Sequence, residues 1–65
     1  MAREAETGDI RSRLGAISEE LADMALDCLR QAVEEGGKTS EPAALERRLT
    51  RARRAVDKAA AILGE

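Results

Sequence analysis

Residues 10–29, IRSRLGAISEELADMALDCL, place apolar side chains at Ile10, Leu14, Ile17, Leu21, Met24 and Cys28, at steps of four, three, four, three and four. That spacing lays all six on one stripe of an α-helix; a strand would expose its apolar face every second residue. Ala25, Leu29, Ala32 and Val33 widen the stripe toward its C-terminal end, as expected when a 3.6-residue turn drifts past a 3.5-residue repeat. Gly15 falls inside the run. A helical glycine costs about 1 kcal/mol relative to alanine, so it marks either a late helix start or a close backbone approach.

Upstream of the stripe, Thr7-Gly8-Asp9 supplies a helix start, with Asp9 or Thr7 as the N-cap. The polar residues 1–8 then read as a disordered N-terminal segment. Downstream, Gly36-Gly37 stops the first helix, with Gly36 suited to the left-handed position after a helix end. Ser40 is a good N-cap for a second helix, and Pro42 fits its first turn. Leu45, Leu49, Ala52, Val56, Ala59 and Leu63 then repeat the same steps, flanked by Ala55 and Ile62, and Gly64 closes the run.

The reading predicts helices over about 10–35 and 41–63 with a turn at 36–40. Helices of similar length joined by a short turn form an antiparallel hairpin, so the fold class is all-α, with residues 9–65 as one unit. The expected register sets Ala32 near Leu45, Cys28 near Leu49, Met24 near Ala52, Leu21 near Val56, and Ile17 near Ala59 and Ile62. Large side chains then mostly meet small ones.

Composition limits both stability and chemistry. The chain has 65 residues, and 13 of its apolar residues are alanine. Domains below ~70–80 residues rarely gain more than ~3–5 kcal/mol from one core and usually need staples or oligomerisation. Two helices also cannot cover both sides of the stripe. The expected completion is a homodimeric four-helix bundle whose dimer and core residues are Ile10, Leu14, Ile17, Leu21, Met24, Cys28, Leu45, Leu49, Ala52, Val56, Ala59, Ile62 and Leu63.

The sequence has no His, Phe, Trp or Tyr and a single Cys. Without His there is no imidazole metal ligand, and no Ser-His-Asp or Cys-His nucleophile forms within one chain. A lone Cys28 makes neither a Cys-rich zinc site nor an intrachain disulfide. On the stripe it reads as a small hydrophobe; near a dimer axis it would meet its own copy. Glu19, Asp23 and Asp27 share one helix face, but that face looks to solvent, and a carboxylate bundle for two metals needs inward Glu and His. No enzyme activity, cofactor or metal is expected. The absence of aromatics removes the platform on which single-stranded nucleic acids stack. No apolar run reaches membrane-spanning length, and the first residues lack the apolar region of a signal peptide, so a soluble cytoplasmic protein is expected. Nine Arg against two Lys, with many Ala, suggest a GC-rich bacterial or phage source.

Charge divides the two helices. Residues 9–35 hold seven acidic and three basic side chains, whereas residues 41–63 hold six basic and three acidic. Pairs such as Asp27 or Glu34 with Arg48 would link the flanks and favour the antiparallel arrangement. Arg47, Arg51, Arg54 and Lys58 form an outer stripe on the second helix. Its ordinary reading is a solvated face; its sharper reading is a row of phosphate contacts on a duplex. Glu19, Glu20, Asp23 and Asp27 are either an ordinary acidic face or a docking face for a basic partner. Leu26, Leu29 and Val33 make a second apolar ridge, a candidate contact for a partner.

In length and architecture the hairpin resembles a small RNA-binding plasmid repressor bundle, with no shared residue signature. The small core, the second apolar ridge and the charge-divided helices make the expected function a non-enzymatic interaction module, acting as regulator, adaptor or inhibitor through protein contacts as a homodimer. Nucleic-acid binding through the basic stripe is the alternative. A structural subunit of a larger helical assembly is the third reading.

Overall fold

The computed structural model describes residues 2–65 and contains two helices packed against each other, α1 (Ala2–Glu34) and α2 (Glu41–Leu63). They run antiparallel as an all-α hairpin measuring 52 × 14 × 11 Å along its principal axes.

α1 starts earlier than the apolar periodicity implies. The segment expected to be disordered is helical from Ala2 onward, and Met1 lies outside the described residues. Residues 2–6 (AREAE) are good helix formers with no proline to stop them, and a single Gly8 is too weak a breaker. Thr7 and Asp9 are therefore not caps. The Thr7 hydroxyl donates back to the Glu4 carbonyl at 3.0 Å, and Asp9 pairs with Arg13 one turn on at 3.6 Å.

The turn matches its residues closely. Gly36 and Gly37 adopt φ of 110° and 87°, which side chains with a Cβ rarely take. The Gly37 amide donates to the Ala32 carbonyl at 2.7 Å, the wide bond of a Schellman end. Ser40 caps α2: its hydroxyl accepts from the Ala43 amide at 3.3 Å and donates to the Gly37 carbonyl at 2.7 Å. Arg47 adds a 3.3 Å bond to the Lys38 carbonyl, holding the turn from the α2 side.

The seam between the helices is narrow and built from small residues. Its buried side chains are Ser18, Cys28 and Ala32 from α1 and Ala43 and Leu49 from α2. Leu14, Leu21, Ala22, Ala25, Val56, Ala59 and Ala60 are half-buried beside them. Among the described residues, no large side chain is fully buried.

The register differs from the expected one by about two residues. Ser18 bonds to Asp57 and Arg53, where the expected register puts Ala59 opposite it. At the open end, Arg11 lies against Gly64, close enough that a Cβ there would meet the Arg11 Cζ at 3.2 Å. The Ser18 hydrogen bonds and the burial of the small residues Ala32 and Ala43 beside the turn are polar and steric constraints that a pairing of apolar residues alone does not see.

Candidate interaction surface

The apolar stripe of α1 splits when it meets α2. Leu14, Leu21 and Cys28 turn inward, alternating with Ser18, Ala25 and Ala32. Ile10, Ile17 and Met24, spaced by seven, stay exposed; Met24 keeps 50% of its surface open and Ile17 43%. One neighbouring helix covers one row of side chains, and the small row permits the closer approach. The second row is therefore only partly covered within the hairpin.

α2 behaves in the same way. Leu49 and Val56 face the seam, while Leu45, Ala52, Ala55, Ile62 and Leu63 remain exposed. Gln31, the next residue on the Ile10–Ile17–Met24 line, borders the same shallow recess as Leu45 and Arg48. The two exposed rows thus occupy the same broad side of the hairpin. Of the thirteen residues expected to serve a core or a dimer, the hairpin alone buries or half-buries Leu14, Leu21, Cys28, Leu49, Val56 and Ala59.

The second ridge lies on the opposite broad side. Leu26 and Leu29 line a shallow groove with Ala22, Thr50 and Arg53. Val33 stands apart from it, 83% exposed. The structure therefore brings Leu26 and Leu29 together and leaves Val33 out of the groove.

The outer edges carry the charge. Arg47, Arg51, Arg54 and Lys58 are all exposed along the back of α2. Arg47, Arg51 and Arg54 border one recess with Glu46 and Thr50, where Thr50 donates to the Glu46 carboxylate at 2.7 Å. Glu19, Glu20, Asp23 and Asp27 are exposed along the back of α1. The expected flank pairs to Arg48 do not form in the hairpin. Asp27 bonds to Arg30 on its own helix at 2.5 Å, because a partner three residues away needs no reach across the seam. The described ion pairs, Asp9–Arg13 and Asp27–Arg30, both lie within α1.

Reading the apolar pattern alone missed one cluster. Ser18 is 5% exposed, donates to the Asp57 carboxylate at 2.6 Å and accepts from the Arg53 Nε at 3.1 Å. The signal was its position: four residues after Leu14 and three before Leu21, Ser18 sits on the inward row. Cys28 is a buried free thiol on that same row.

Among the described residues, no cluster of three or more His, Cys, Asp or Glu side chains is arranged to hold a metal ion. No helix there is long and apolar enough to cross a membrane. Comparison with protein-family models, curated proteins and solved structures finds no match for this chain.

Proposed function

We propose that this hairpin is a small, non-enzymatic interaction module that works as a homodimer, regulating, bridging or inhibiting through protein–protein contacts. The exposed row of Ile10, Ile17 and Met24, on the same broad side of the hairpin as exposed Leu45, carries this reading. An exposed apolar face next to a seam in which no large side chain of the described residues is fully buried gains stability when a second surface covers it.

Sedimentation equilibrium at micromolar concentration tests it. The expected mass is twice the 7.0 kDa of one chain. Ile17→Glu and Met24→Glu, each placing a charge on the apolar row, should return it to a single chain or unfold it. A wild-type chain that stays folded and monomeric ends the homodimer reading.

One observation favours a second reading, binding to duplex nucleic acid. Arg51, Arg54 and Lys58 are exposed on one helix face, and no described ion pair engages them. Each phosphate they neutralise would steepen the salt dependence of binding. A titration with duplex DNA and RNA at ~50 mM salt decides it, since a surface using these contacts must bind there.

A further inference from the structure

We infer that the second copy stacks with its α2 over α1 and with both turns at the same end of the bundle. This rests on the homodimer proposed above and specifies its arrangement.

A closed dimer that joins the same broad face of each copy has its two-fold axis in the plane of contact. Two stackings follow. An axis across the helices puts α1 over α1 and α2 over α2, with the turns at opposite ends. An axis along the helices puts α1 over α2, with the turns together.

The edges distinguish the two. The row of α1 just outside Ile17 and Met24 runs Arg13, Glu20, Asp27, Glu34 and is mainly acidic. The outer side of α2 carries Arg48, Arg51 and Lys58, with Glu41 at its start. Stacking α1 on α1 lines one acidic flank against another, and a basic flank against its copy. Stacking α1 on α2 sets Glu20 and Asp27 against the partner's Arg48 and the partner's Arg51 through the middle of each edge, with Glu34 and the partner's Glu41 meeting only beside the turns, which favours that orientation over the other.

The register agrees. Ser18 bonds to both Asp57 and Arg53, and Arg11 lies against Gly64, which sets Ser18 near the level of Asp57. Nine residues on from Ser18 is Asp27, and nine back from Asp57 is Arg48. An axis along the helices preserves these levels, so Asp27 comes level with the partner's Arg48. This pair, absent within the hairpin, would then form between copies. The same levels place Met24 and Ile17 beside the partner's Ala52 and the partner's Ala59, large against small. Over the 23 residues of α2, about 35 Å at 1.5 Å per residue, the two-helix face 14 Å wide has an outline of about 500 Å² before side chains, of the order of the ~800 Å² per partner typical of stable interfaces.

The test is a distance between turns. Thr39 is exposed in the turn and far from the apolar row, so Thr39→Cys in a Cys28→Ala chain takes a nitroxide label. Double electron–electron resonance should then read under about 25 Å, since helices in contact lie only ~8–10 Å apart. Turns at opposite ends would be separated by the helix length, about 35 Å or more at 1.5 Å per residue. A dimer showing the long distance overturns the stacking and leaves the homodimer standing; a folded monomer overturns both. A second measurement keeps Cys28 in place. Asp27→Arg should weaken dimerisation by about tenfold, and adding Arg48→Glu in the same chain should restore it. Failure of that rescue in a folded dimer counts against the stacking.

Discussion

The Ser18 hydroxyl lies on the inward row of α1 and donates to the Asp57 carboxylate at 2.6 Å, fixing α2 against α1 near the middle of the hairpin. The Arg53 Nε donates to the Ser18 hydroxyl oxygen at 3.1 Å, so both the donor and an acceptor site of one buried hydroxyl are used. The remaining seam is largely alanine and aliphatic, with little directional preference. This one polar junction distinguishes the observed register from one displaced by a turn.

Ser18→Ala removes both bonds and releases Asp57 and Arg53 to solvent. The expected loss is about 1 kcal/mol, the net worth of a hydrogen bond whose partners can rehydrate. In a chain this short that lowers Tm by roughly 4–8 °C. An unchanged thermal midpoint would show that the junction does not hold the seam.

Leu49 is the largest side chain buried in the seam, at 8% exposure, whereas Val33 is 83% exposed. Leu49→Ala should cost about 2–5 kcal/mol and unfold or nearly unfold the chain. Val33→Ala should stay within about 0.5 kcal/mol of wild type. Circular dichroism against urea compares the two, and equal effects would contradict the burial pattern.

Gly15 sits within α1, and a Cβ added there meets nothing within 4 Å. It is neither a helix start nor a site of close approach in the hairpin. Gly15→Ala should raise stability by about 0.5–1 kcal/mol through helix propensity. A loss of stability or of dimer mass would place a neighbouring molecule against that face.

Gly36 has just as much space around it, yet its φ is 110°. Gly36→Ala should cost about 1 kcal/mol or more, because the strain lies in the backbone. The pair Gly15→Ala and Gly36→Ala, measured in one unfolding series, should therefore move stability in opposite directions.

The sequence by itself determined the two helices, the turn and the segregation of charge. Each follows from local rules: the 4-3 spacing from Ile10 to Cys28, the capping oxygen of Ser40, the positive φ open to Gly36 and Gly37, and the block of Arg in α2. It misplaced the start of α1, because Thr7 and Asp9 look like caps only when the residues before them are assumed not to be helical. Tertiary structure alone decided which half of the apolar stripe turns inward. Ile17 and Leu21 are equivalent in the periodicity, but a two-helix seam admits one row, and Ser18, Ala25 and Ala32 let α2 approach closest on the Leu21 side. That choice left Ile10, Ile17 and Met24 about half exposed. The candidate surface is thus a consequence of packing, set by side-chain volume and one buried hydroxyl rather than by hydrophobicity along the chain.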